Sequence, residues 1–128
     1  MKRKHIILFI SILAITTVAV SYKSMVYHSM KRINHSLGVS EVPPVFMHPA
    51  AYYKRIVPSL LHSGMPYDEA KVIFNTADSI ERETQNDSTI HIRYYFRIFS
   101  LPAIRENDLY VYVTVKNGQI VRYWVDNS

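Results

Sequence analysis

Apolar positions change their spacing several times along this 128-residue chain, and each change marks an element. Ile6 to Tyr22 is a run without a formal charge, interrupted only by Ser11, Thr16, Thr17 and Ser21, and its length sits at the short end of a bilayer span. From Lys23 to Leu37 the apolar residues thin out to Val26, Met30, Ile33 and Leu37, spaced by four, three and four, which draws one narrow stripe on a helix. Gly38 ends that pattern, and residues 39–49, with Pro43, Pro44 and Pro49, suit neither regular helix nor central strand. They read as an extended linker. Tyr53, Ile56, Val57, Leu60 and Leu61 then follow the spacing of an amphipathic helix that Pro49 can open, while Pro58 predicts a kink or two short pieces at Val57-Pro58. After the break at Ser63-Gly64-Met65-Pro66, Asp68 and Glu69 fall in the first turn of a second helix, whose buried stripe is Ala70, Ile73, Phe74 and Ala77.

Beyond Asp78 the period becomes two. Ile90, Ile92, Tyr94, Phe96 and Ile98 alternate with His91, Arg93, Tyr95, Arg97 and Phe99, as in a strand with one apolar face. A second strand runs over about 109–116, and Asn117-Gly118 supplies the two positive-φ positions of a tight hairpin into a third, 119–125. An uninterrupted hairpin pairs Val115 with Ile120, Val113 with Arg122, Val111 with Trp124, Tyr112 with Tyr123 and Tyr110 with Val125. The expected core face is then Leu109, Val111, Val113, Val115, Ile120 and Trp124, with Tyr110, Tyr112, Thr114, Val121 and Tyr123 facing away. Ile80 to Thr84 is a further short strand, turning at Gln85-Asn86-Asp87-Ser88. The fold class is α+β: an N-terminal transmembrane helix and stalk, then two short helices on a three- to four-stranded antiparallel sheet. The divisions expected are 1–22 for the membrane segment, 23–38 for the stalk, 39–49 for the linker and 50–128 for the folded domain.

Charge changes the picture in one respect. The chain carries 15 Lys and Arg against 10 Asp and Glu, a net +5, but Lys2, Arg3 and Lys4 precede the apolar run, so the remainder is close to balance. That remainder lacks the field that nucleic-acid binding exploits. Three leading cations favour a cytoplasmic N-terminus and an extracytoplasmic C-terminal domain in a single-pass membrane protein. The run also fits a cleavable signal ending at Ala19-Val20-Ser21, which would make the protein secreted or periplasmic. The length of the run, and helix-compatible residues after it, favour the anchor, with lipid contacts through residues 6–22. Lys23, His28, Lys31, Arg32 and His35 read as the solvated side of the stalk. Cysteine is absent, which removes disulfides, thiol catalysis, Cys-type zinc sites and a lipidated N-terminal Cys.

The order of elements resembles the SmpA/OmlA family, small envelope lipoproteins of the outer-membrane β-barrel assembly machinery, whose fold is shared with β-lactamase inhibitory protein. The likeness covers about residues 53–126 and is carried by Ser63-Gly64-Met65-Pro66-Tyr67-Asp68-Glu69-Ala70-Lys71-Val72 at a helix start and by Val115-Lys116-Asn117-Gly118-Gln119-Ile120-Val121 around the hairpin. The family places Ser or Thr where Pro66 stands, a Gly-x-Pro where Asn75-Thr76-Ala77 stands, and a lipid-bearing Cys that this chain lacks. What the resemblance implies is a two-helix, three-strand domain that works by binding other envelope proteins. Here a protein span would replace the lipid, so the membrane would be the inner or sole one.

The six histidines, His5, His28, His35, His48, His62 and His91, show no ligand spacing, and no metal site or cofactor is expected. Asp87 with His91, and Glu81 or Glu83 with Arg93, are pairs that turn and hairpin would bring together. Nucleophile elbow, phosphate loop and dinucleotide fingerprint are all missing, so enzymatic activity is not expected. Ten tyrosines are the distinguishing composition. Arg93, Tyr95, Arg97, Tyr110, Tyr112 and Tyr123 form the candidate protein-binding face, set against the plainer reading that cross-strand tyrosines stabilise an exposed sheet. The expectation is thus a membrane-anchored extracytoplasmic protein-interaction module that supports envelope assembly. The alternative is a secreted inhibitor or ligand-binding domain. Truncation of Val113 or Trp124 is expected to cost more stability than loss of a charge such as Arg105.

Overall fold

One unbroken helix, α1 (Arg3–Leu37), runs through both the span and the expected stalk in the computed structural model, which describes residues 2–45, 47–100 and 107–126. Its 35 residues correspond to about 52 Å of axis. Residues 2–20 are exposed on all sides, and the helix is long and apolar enough to cross a membrane by length and composition. It ends at Gly38, whose φ of 75° lets the next amide fold back, Val39 N–H donating to the Asn34 carbonyl at 2.8 Å.

The stripe expected on a free stalk is instead buried. Val26, Met30, Ile33 and Leu37 belong to the same core as Tyr52, Tyr53, Phe74, Tyr94 and Val111. The folded domain therefore begins near Tyr22, not at residue 50. The reason lies in polar groups that the apolar count passes over. Asn34, itself buried, donates to the Tyr52 hydroxyl at 2.7 Å and to the Glu41 carbonyl at 3.1 Å, while the Tyr53 hydroxyl lies 2.9 Å from Asn34 Oδ1 and 3.1 Å from the Met30 carbonyl. Lower down, Phe99 N–H donates to Ser29 Oγ at 3.2 Å, and Asn107 donates to the Tyr22 hydroxyl at 2.8 Å. Segment 39–48 is irregular, as expected, yet it lies on the domain: Pro43 is buried and Val39 packs on the core.

Helix α2 (Pro49–Leu60) opens with Pro49, and His48 Nδ1 accepts from Ala50 N–H at 3.2 Å. No break occurs at Val57-Pro58. The proline sits in the last turn, where only one backbone bond is forfeited, and both Pro58 and Lys54 lie on the exposed side where water can take its place. Helix α3 (Tyr67–Ile73) carries Asp68 and Glu69 in its first turn and buries Ala70, with Phe74 just past its end.

The sheet is a four-stranded antiparallel meander: β1 (Ser79–Thr84), β2 (Thr89–Phe96), β3 (Leu109–Lys116) and β4 (Gln119–Asp126). Asn86 Oδ1 closes the β1–β2 turn by accepting from the Ser88 and Thr89 amides. Asn117 and Gly118, at φ 52° and 76°, make the β3–β4 turn. That turn is also where Gly64-Met65 docks: Gly64 N–H donates to the Ile120 carbonyl at 2.7 Å, Ile120 N–H to the Met65 carbonyl at 2.8 Å, and Tyr67 N–H to the Gly118 carbonyl at 2.9 Å.

The register of the last hairpin departs from the simple count. Lys116 pairs with Gln119 and Val115 with Ile120, but Thr114 pairs with Arg122, leaving Val121 as an extra residue. Every later side chain then changes face. Tyr123 and Val125 pack on the core and Trp124 turns outward, 40% exposed, the reverse of the expected assignment. Without the bulge Arg122 would stand opposite Val113 on the core face, and burying an unpaired guanidinium there is strongly unfavourable. Arg105 lies outside the described residues.

Two outcomes follow. A chain that starts at Tyr22 keeps the fold, whereas one that starts at Val39 loses the partners of Tyr52 and Tyr53 and does not reach a cooperative native state. Near-UV circular dichroism distinguishes them, and a folded Val39 chain would restore a separate stalk. The second concerns alkali. Burial raises the hydroxyl pKa of Tyr52, Tyr53 and Tyr94 above the ordinary tyrosine value. Above about pH 10 the unfolded chain releases protons that the folded one retains. Stability is therefore full below that pH and falls above it, by up to about 1.4 kcal/mol per pH unit for each such group. An alkaline titration reading tyrosinate absorbance and far-UV circular dichroism together should show ionisation of these groups only as the fold is lost.

Candidate functional site

The sheet face that the helices leave uncovered is ordered in rows, because strand register places residues of alternate parity side by side. Tyr95, Tyr110 and Asp126 form one row; Glu81, Arg93, Tyr112 and Trp124 the next; Glu83, His91, Thr114 and Arg122 the third. Period-two sequences with an aromatic or charged residue at most outward positions create this pattern.

The rings form a continuous band. Tyr95 and Tyr110 have centroids 5.1 Å apart, Tyr110 and Tyr112 6.4 Å, and Tyr112 stacks on Trp124 at 4.8 Å with planes only 3° from parallel. Two guanidinium groups lie over it, Arg93 at 5.2 Å from the Tyr110 centroid and Arg122 at 4.7 Å from that of Trp124. Such contacts are worth about 0.5–1 kcal/mol each at exposed sites. Arg93 also pairs with Glu81, as expected across the β1–β2 hairpin. That hydrogen bond, with a smaller contribution from Tyr112, holds the guanidinium proton more firmly than usual. The Tyr95 hydroxyl donates to Asp108 Oδ2 at 3.0 Å, which fixes the end of the band.

At the Tyr112–Trp124 end of the band is an open depression of about 270 Å³, lined also by Glu81, Glu83, His91 and Thr114. The two His91 ring nitrogens lie 3.0 Å from Thr114 Oγ1 and 2.8 Å from Gln85 Oε1, so Gln85, and not Asp87, is its partner at the turn. Among the described residues no group of three or more His, Cys, Asp or Glu converges to hold a metal ion.

Of the six residues proposed from sequence, Arg93, Tyr95, Tyr110 and Tyr112 are brought together. Arg97 is exposed just past β2, where its backbone N–H donates to Asp78 at 2.7 Å, and it stands outside the rows. Tyr123 is on the opposite face, against the core, because of the Val121 bulge. Trp124 and Arg122 take its place. The signal for them was present in the sequence as the cost of placing Arg122 on an apolar face.

One edge of the sheet is β1, where Glu81, Arg82 and Glu83 put charge on a strand that would otherwise invite pairing with another chain. No family model, curated protein or solved structure matches this chain.

The corrected register reverses the expected order of stability effects. Ile120→Ala should cost about 2–5 kcal/mol, since it empties a fully buried site. Trp124→Ala should cost only about 1–2 kcal/mol, the worth of a surface stack and one cation–π contact. Urea unfolding of the two variants measures both, and equal losses would return Trp124 to the core.

Proposed function

We propose that this chain is a single-pass, membrane-anchored interaction module with its N-terminus in the cytoplasm and its α+β domain outside it, binding a protein partner in the cell envelope. The observation that carries this reading is the uncovered band Tyr95–Tyr110–Tyr112–Trp124 with Arg93 and Arg122 laid over it. Tyr, Trp and Arg are the residue types that anchor protein interfaces, because they combine large contact area with few rotatable bonds or with fixed donor geometry. The glutamates of β1 beside the band favour a partner whose surface mixes apolar side chains with both signs of charge.

Anchoring is favoured over release because Ala19-Val20-Ser21 lies inside unbroken helix, with Val26 already in the domain core five residues later. A role in envelope assembly follows from the SmpA/OmlA likeness, whose two motifs meet in one contact where Gly64-Met65 pairs beside the Asn117-Gly118 turn.

The test is photo-cross-linking from position 112 in intact membranes, with the adduct identified by mass spectrometry. The wild-type face should yield a defined adduct. Trp124→Ala combined with Arg93→Glu should remove it, a loss of about 2 kcal/mol or more in affinity, with the fold retained by circular dichroism. An adduct of undiminished yield would overturn the assignment of this face, and N-terminal sequencing that begins at Tyr22 would overturn the anchor.

A further inference from the structure

The segment between α1 and α2 exposes apolar side chains. Val42 is 68% exposed, Val45 48% and Met47 40%. After Gly38 the chain turns back along α1, and Val45 lines an almost wholly apolar groove with Ala19, Val20, Lys23, Ser24 and Tyr27. Ala19 and Val20 are the last aliphatic residues of the Ile6–Tyr22 run itself. Seven residues of extended chain after Gly38 thus return to the level from which α1 enters the domain.

The span leaves room at that level. Ile6 to Tyr22 covers about 26 Å along a helix, a few Å short of a hydrocarbon core of about 30 Å, so the boundary reaches the turn that carries Lys23 to Tyr27. Residues suited to such a boundary occur there. Tyr22 and Tyr27 are half-buried aromatics, Met25 is 48% exposed, and Lys23 is exposed, with Lys31 Nζ lying 5.7 Å over the Tyr27 ring one turn further on.

We propose that Val45, with Val42 and Met47, makes a second membrane contact, in the interfacial layer of the same bilayer that α1 crosses. The occupant of the groove is lipid, because the groove is continuous with the span and partly made of it. Lys23 stands at its rim to meet head-group phosphates. This rests on the membrane-anchored reading above.

The experiment uses the full chain in phosphatidylcholine–phosphatidylglycerol vesicles, in a Trp124→Phe background, with one tryptophan restored at a time. The quencher is lipid brominated on the acyl chain near the glycerol or near the bilayer centre. Leu13→Trp reports the span, Val45→Trp the segment, and His35→Trp, exposed and about 22 Å further along α1 than Val20, the domain above the surface. The proposal expects Leu13→Trp to be quenched most by deep bromine and Val45→Trp to lose roughly half its emission to shallow bromine, as for a side chain seated at the boundary. His35→Trp should be little affected. Quenching at Leu13 without quenching at Val45 overturns the second contact and leaves the anchor standing. A blue-shifted but unquenched Val45→Trp gives the groove to protein, such as a second copy, and also overturns it. Absence of quenching at both positions removes the anchor and the proposal together, and equal quenching at Val45 and His35 reduces the effect to general adsorption.

Discussion

A buried amide holds this structure together. Asn34 projects from α1 into an apolar core, and an unpaired amide there would cost about 1–3 kcal/mol or more. Two tyrosine hydroxyls and a backbone carbonyl satisfy it, and those same hydroxyls are buried on α2 and have few other partners. Each side of the arrangement makes the other tolerable. The consequence is positional, since apolar side chains alone would let α1 slide or rotate on α2, whereas two directed bonds between one side chain and α2, with a third to the Glu41 carbonyl, allow a single alignment. The Tyr52–Tyr53 ring contact, edge-on at 5.0 Å, fits beneath this alignment, and the sheet packs on the other side of α2.

Most of the architecture could be read from local pattern. The two short helices, the meander and the Asn117-Gly118 turn each rest on spacing or turn chemistry confined to a few neighbouring residues, and the structure has them where the pattern puts them. What failed to show has a common cause. The stripe Val26, Met30, Ile33 and Leu37 looks narrow until Tyr22, Ser29 and Asn34 are added, and these three polar residues are inward-facing only because partners 18 to 85 positions away receive them. Likewise the fate of β4 beyond Ile120 turns on one inserted residue. A period of two cannot announce its own interruption, but Arg122 could have, because a regular strand would have driven its charge into the core. The outward aromatic face was legible as composition and as parity on β2 and β3, and it failed only after the bulge.

The two faces of the sheet divide the labour of its aromatic residues. Inside, Tyr94 and Phe96 pack on Phe74, one stacked and one edge-on, and their value is area removed from water. Tyr95, Tyr110, Tyr112 and Trp124 keep their hydration on one side and their contacts on the other, which gives a stiff surface whose ordering cost has been met before anything binds. The charged edge strand beside it limits unselective pairing with other chains.

The absence of any break between residues 3 and 37 has a mechanical meaning. A domain on a flexible tether samples all directions, but this one is gripped by the upper half of the rod that carries it. Leaning the rod by about 20°, an ordinary inclination for such helices, would shift its Leu37 end sideways by roughly 8 Å, and the sheet would travel with it. Twisting the rod about its axis would swing the aromatic band around the compass. With α1 in a bilayer as proposed, forces within that bilayer, through its thickness or through neighbouring helices, would be expressed in the domain as a change of heading.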